Sequence, residues 1–124
     1  IFALDTDDDV NTGRPLGDGI INPDIGIEIT IGVRSDPTTG VSFQPYMYVW
    51  NEASKTAEQQ AVDFEVRVSA SRDALFVRAP RPQLETALTN LSQVEANWEQ
   101  AVGRSLSLAT TEVGTSVDFF PERP

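Results

Sequence analysis

The chain has 124 residues, 40% of them hydrophobic, and a formal net charge of −10. That length suits one domain with enough apolar material for a core, and no apolar run nears the ~18 residues a membrane-crossing helix needs, so a single domain without a membrane span is expected. There is no Cys and no His, which removes disulfides, thiolate nucleophiles, imidazole bases and the usual soft-metal ligands; Lys55 is the only lysine among nine basic residues, and so acidic a surface repels phosphate backbones, which argues against nucleic acid as a partner.

The first 24 residues read as an acidic N-terminal arm, followed by a single β-rich domain over 25–124. After the apolar "IFAL", the stretch "DTDDDVNTGRPLGDGIINPD" places Asp5, Asp7, Asp9 and Asn11 at the alternate spacing with which a calcium loop begins. The continuation departs from such a loop. Val10 stands where the sharp turn needs Gly, Leu16 stands where a bidentate Glu belongs, and "GDGIIN" with Asp18 and Asp24 carries only a displaced fragment of the later half. The expectation is a hydrated arm that needs no cofactor, with Asp5, Asp7 and Asp9 as candidate ligands and calcium as the one candidate ion. An aspartate run cannot enter a core without unpaired buried charge, so Ile1, Phe2 and Leu4 are expected to dock on another chain.

From Ile25 the order becomes regular. Ile25, Ile27, Ile29, Ile31 and Val33 alternate with Gly26, Glu28, Thr30 and Gly32, the period-two pattern of a strand with one buried face. "RSDPTTG" has turn chemistry and leads to a second strand from Val41 to about Asn51, so a hairpin is expected. "NEASKTAEQQ" reads as a polar connection, Val62 to Ala70 as a third strand, and "ALFVRA" as a short fourth. Over "PRPQLETALTNLSQVEANWEQAVG", Leu84, Leu88, Leu91, Val94, Trp98 and Val102 recur at helical spacing, with Pro82 suited to a first turn and Gly103 to a cap. One amphipathic helix over 82–102 is therefore expected, then two short strands in "SLSLA" and "VGTSVDFF".

The strand "VSFQPYMYVWN" is apolar on both faces, with Val41, Phe43, Met47 and Val49 on one and Tyr46, Tyr48 and Trp50 on the other. A half-exposed sheet would carry polar residues on its outer side, so the second face is covered by the helix, joined to another subunit, or stacked against a sugar ring near Asn51 and Glu52. The run "YMYVWNEASKTAEQQAVDFEVRVSAS" resembles the hairpins of immunoglobulin-like modules in bacterial and archaeal surface proteins. The expected fold is mainly β: an antiparallel β-sandwich of immunoglobulin-like character, with about six strands and one packed helix.

Catalysis finds little footing. Asp63 and Glu65 share a strand face but alternate with Arg67 as solvated strands do, Glu85, Glu95 and Glu99 fall on the polar side of the helix, and the "NLS" sequon at Asn90 lies within that helix. No nucleophile elbow, phosphate loop or dinucleotide fingerprint is present. The expected role is a non-enzymatic structural subunit of an extracellular, cell-surface or virion assembly, joined to copies of itself or to other subunits through Ile1, Phe2, Leu4, Tyr46, Tyr48 and Trp50. The alternative is an adhesion or carbohydrate-binding module using Tyr46, Tyr48 and Trp50.

Overall fold

The computed structural model describes residues 1–16, 25–35, 43–71, 73–111 and 114–120. Among the described residues, eight strands and one short α-helix follow in the order β1 (Phe2–Asp5), β2 (Ile29–Ser35), β3 (Phe43–Asn51), β4 (Thr56–Gln60), β5 (Glu65–Val68), β6 (Leu75–Arg78), α1 (Arg81–Ala87), β7 (Val102–Thr111) and β8 (Gly114–Phe120). The chain is thus mainly β. Six strands form one antiparallel sheet in the order β4-β3-β2-β1-β7-β8, and β5 pairs with β6 in a separate antiparallel ribbon.

The segment expected as an arm supplies β1, which lies inside the sheet between β2 and β7. Phe2 faces Ile31 and Ser105, and Leu4 faces Ile29 and Gly103. The expectation that the aspartates keep Ile1, Phe2 and Leu4 apart from the sheet is corrected here: Asp5 is buried at the foot of the strand, its Oδ2 accepting from the Gly26 amide. The expected β2–β3 hairpin pairing is present, with Ile29 opposite Val49 and Ile31 opposite Met47.

Register then separates the two faces of the sheet. Leu4, Ile29, Ile31, Met47 and Val49 share one face, covered by Phe64, Leu84 and Leu88 with Val77, Trp98 and others at the margin. Ala3, Thr30, Tyr48 and Gln59 follow one another across the opposite face. The helix therefore covers the Met47–Val49 side of β3 and leaves the tyrosines on the other.

The helix is much shorter than its apolar spacing suggests. α1 ends at Ala87, a single π turn spans Leu88–Ser92, and Gln93 closes it in the left-handed region at φ 59°, its N–H bonding Leu88 O at 2.8 Å. Tertiary hydrogen bonds draw the chain out of the helical path: Ser92 Oγ donates to Trp50 O at 2.7 Å, Glu52 N to Leu91 O at 2.9 Å, and Asn97 N to Thr6 O at 2.7 Å. Val94, Ala96 and Trp98 then reach the core from non-helical chain, where alternation serves as well as helical spacing. β4 is the other departure. "TAEQQ" is mostly exposed and polar on both faces, as an edge strand can be, so it carries no hydrophobic period to read.

Leu88 is fully buried and Trp98 only partly so, its indole N–H donating to Glu85 Oε1 at 2.8 Å. Leu88→Ala should cost roughly 2–5 kcal/mol and Trp98→Ala less. Urea unfolding of both variants checks the order; a larger loss for Trp98→Ala would restore a continuous helix through residue 98.

Candidate functional site: an acid cluster at the foot of β1

Three carboxylates from two stretches of the chain meet where β1 ends and β2 begins. Asp5 is the last residue of β1, Asp7 lies in the following loop, and Glu28 immediately precedes β2. One carboxylate oxygen from each lies within 4.8 Å of the other two. Asp5 and Glu28 are each 1% exposed, and Asp7 is half-buried. Sheet hydrogen bonds fix Glu28 between its neighbours, its N–H bonding Leu4 O at 3.1 Å and its carbonyl accepting from Trp50 N at 2.8 Å.

The loop after β1 folds back over Glu28. Asp8 sits in the left-handed region at φ 59°, a conformation Asp tolerates, and Asp7 Oδ1 accepts from Asp9 N at 3.1 Å. Asp9 Oδ1 in turn accepts from Asn11 N at 2.9 Å and Asn11 Nδ2 at 2.8 Å. Gly13, at φ 66°, lets the chain pass close to Glu28, since a Cβ there would lie 2.4 Å from Glu28 Oε1. Arg14 N then bonds Ile27 O at 2.9 Å, which ties the end of the turn to the residue before Glu28.

Two threonines and one amide serve the buried acids. Glu28 Oε2 accepts from Thr6 N at 2.8 Å and Thr6 Oγ1 at 3.0 Å, and Thr12 Oγ1 lies 3.0 Å from Glu28 Oε1. Asp5 Oδ2 accepts from Gly26 N at 3.2 Å. Asp5 Oδ1 is buried without a hydrogen-bond partner. Burial pushes the Glu28 carboxyl up to about 7, the Thr6 amide opposing it and the charge of Asp7 adding to it. Burial likewise raises Asp5, with the charge of Asp7 adding to it and the amides of Gly26, Asp8 and Asp9 opposing it. An all-oxygen, acid-rich set of this kind suits a hard divalent cation.

The candidate residues read from sequence are partly brought together. Asp5 and Asp7 join the cluster, while Asp9 is exposed and its carboxylate holds Asn11. Asp18 and Asp24 lie outside the described residues. Glu28 takes the third place, and sequence alternation had put it on a solvated face. The available signal is the size of its neighbours: Gly26, Thr30 and Gly32 share its parity, and small residues on an outer face leave room for a covering loop.

The aromatic face is divided. Tyr46 and Tyr48 are half-buried with ring centroids 6.0 Å apart and planes at 78°, and the Arg34 guanidinium lies 4.4 Å from the Tyr46 centroid. They border a cleft of about 260 Å³ shared with Ile1, Arg14, Thr30 and Ala57. Trp50 is buried, its indole N–H donating to Glu52 Oε2 at 3.1 Å, so the three rings form no continuous platform. Asn51 serves the β3–β4 turn, accepting from Ala53 N and Ser54 N. Leu4 packs against the domain's own core, whereas Phe2 is 38% exposed. Asp63 and Glu65 are exposed, and Glu65 pairs with Arg67.

Because the folded pKa of Glu28 lies above its unfolded value of 4.5, the folded state holds that proton longer. In metal-free buffer this contribution should fall by roughly 3 kcal/mol as pH rises from about 4.5 to 7, then level off. Glu28→Gln removes it. The difference between parent and variant in urea midpoint across that range isolates the effect from the other carboxylates; a constant difference would place Glu28 in water.

Comparison with family models, with characterised proteins and with solved structures finds no match.

Proposed function

We propose that the chain is a non-catalytic structural module, a subunit of an extracellular, cell-surface or virion assembly, in which the acid cluster braces β1 into the sheet. The observation that carries this reading is where the acids go. Of the carboxylates that converge, Asp5 and Glu28 are buried and Asp7 is half-buried, and none of them lines the clefts bordered by Tyr48, by Phe76 or by Gln83, while Asp63, Glu65, Glu95 and Glu99 stand exposed. Converging acids that hold a fold are architectural rather than catalytic. The β5–β6 ribbon and the helical segment are read as the second layer of a sandwich of immunoglobulin-like character, since Phe64, Leu84 and Leu88 pack on Ile29, Met47 and Val49.

With β1 committed to its own sheet, contacts between copies fall to the remaining surface. Tyr46, Tyr48 and Ile1 form one half-exposed patch, and Val68, Leu75 and Phe76 form another on the ribbon, Phe76 being 60% exposed. Two different patches on one chain favour a heterologous, head-to-tail contact that can propagate into a filament or layer. A lysine-poor, strongly acidic chain suits a salty exterior medium, where its self-repulsion is screened.

The second reading, a carbohydrate-binding module, is favoured by the cleft beside Tyr46 and Tyr48 and disfavoured by their crossed rings and by the burial of Trp50. Light scattering of the parent, Tyr48→Ser and Phe76→Ser at one concentration and salt separates the two. The structural reading expects large particles from the parent, and at least a tenfold loss of particle mass in one variant with little change in melting temperature. A parent that stays monomeric and is retained by an insoluble polysaccharide, with Tyr48→Ser released, would replace it with the binding module.

A further inference from the structure

We propose that Asp5, Asp7 and Glu28 form a calcium site that fastens the end of β1 to the start of β2. This rests on the reading of the trio as a brace and adds the ion that completes it. The first support is a shortage of protons. The Thr12 hydroxyl has one hydrogen, yet it lies 3.0 and 3.1 Å from the two Asp7 oxygens, 3.0 Å from Glu28 Oε1 and 2.9 Å from Asp9 O. With Glu28 ionised, only one of these four contacts has a hydrogen in it at any moment, and the other oxygens face the Thr12 oxygen bare.

The second support is independent of Thr12. Asp5 is 1% exposed; its Oδ2 accepts from the Gly26 amide and the Asp8 and Asp9 amides face its carboxyl, yet Oδ1 has no partner at hydrogen-bond geometry. A buried carboxylate oxygen in that position is costly unless a cation or a donor meets it. The charge acting on both Asp5 and Glu28 is that of Asp7, which has the same sign and makes their burial harder. Hydroxyls and amides stabilise such a cluster, but they cannot neutralise three like charges.

The chemistry selects among ions. Carboxylates and hydroxyls are hard oxygen donors, which leaves the alkaline-earth ions ahead of zinc or copper. Magnesium keeps most of its waters and binds through one or two carboxylates, whereas calcium accepts six to eight oxygens in irregular arrangements, including bidentate ones. Three carboxylates from two segments, two of them shut away from solvent, match calcium. Asp9 contributes to the loop rather than to the charge, which is why alternate spacing alone identified two of the three acids.

The test uses the whole chain, stripped with a chelator and returned to about 1 mM CaCl2 or MgCl2, with thermal melting and titration calorimetry as readouts. Calcium should raise the melting temperature of the parent by roughly 5 °C or more. Magnesium should give less than half that shift. Asp7→Asn, at the half-exposed member, should fold in chelator and lose at least tenfold in calcium affinity; Glu28→Gln should melt at or above the parent in chelator and lose the calcium response. A parent indifferent to calcium overturns the site, as does Asp7→Asn that binds calcium like the parent, and equal shifts from magnesium overturn the choice of ion. If Glu28→Gln does not fold, Asp7→Asn decides. Particle size is read in the chelator-treated parent as well, so that a missing calcium response and a missing assembly are distinguished.

Discussion

Asp5 and Glu28 are buried side by side where β1 meets β2, and the sheet depends on how their carboxylates are compensated there. β1 is only four residues long, yet the hydrogen-bonded sheet passes through it from β2 to β7. Without β1, the β7–β8 hairpin has no strand neighbour in the β4-β3-β2 half. A short strand flanked on both sides gains many backbone hydrogen bonds but few side-chain contacts of its own, since Ala3 is small and Phe2 is partly exposed. Anchoring its end is therefore worth more than the same anchor would be on a long strand. The Thr6 amide and hydroxyl on Glu28 and the Gly26 amide on Asp5 form that anchor, and each crosses from one strand's end to the other's beginning.

The same junction organises the chain beyond β1. Thr6 O accepts from Asn97 N, so the segment after the π turn is pinned to the residue that follows Asp5. Ser92 and Leu91 are held by Trp50 O and Glu52 N, at the end of β3. Between these two points the chain abandons the helix and lays Val94, Ala96 and Trp98 against the core. Backbone hydrogen bonds lost by ending the helix are replaced by bonds to β3 and to the β1 loop, so the truncation leaves fewer orphaned groups than a bare helix end would. Glu85 links the two halves of this segment, accepting from Arg81 Nε at 2.7 Å and from the Trp98 indole.

Sequence reasoning reached the parts of the fold where hydrophobic period and turn chemistry agree. The β2–β3 hairpin, the third and fourth strands and the C-terminal pair all follow from alternation. It did not reach β4, whose polar edge has no period, or the end of α1, because Leu91, Val94 and Trp98 fit helical spacing while Val94, Ala96 and Trp98 also fit alternation. The aspartate-rich stretch misled in a more instructive way. Spacing marks Asp5 and Asp7 as candidate ligands of a self-contained loop, but the third acid lies 21 residues beyond Asp7, just before the next strand. Spacing within one segment cannot show a partner brought in by strand pairing. The small residues around Glu28 were the only local sign that its face is covered.

A chain of net charge −10 that also buries carboxylates faces the same electrostatic problem inside and outside. On the surface, water and salt screen the repulsion over about a Debye length, and pairs such as Lys55 with Glu52 or Arg81 with Glu85 contribute little because both partners are largely solvated. At the foot of β1 the screening is weaker, and Glu28 responds by holding its proton to near neutrality. A protonated Glu28 relieves the repulsion only at the cost of making the junction sensitive to pH across the ordinary physiological range. A divalent cation removes that sensitivity, since it stabilises the ionised forms of all three acids together. In the proposed extracellular role, where free calcium is abundant and pH varies, that would be the more durable arrangement, and the proposed ion would tie the interior of this domain to the same salt-screened conditions that ease its surface repulsion.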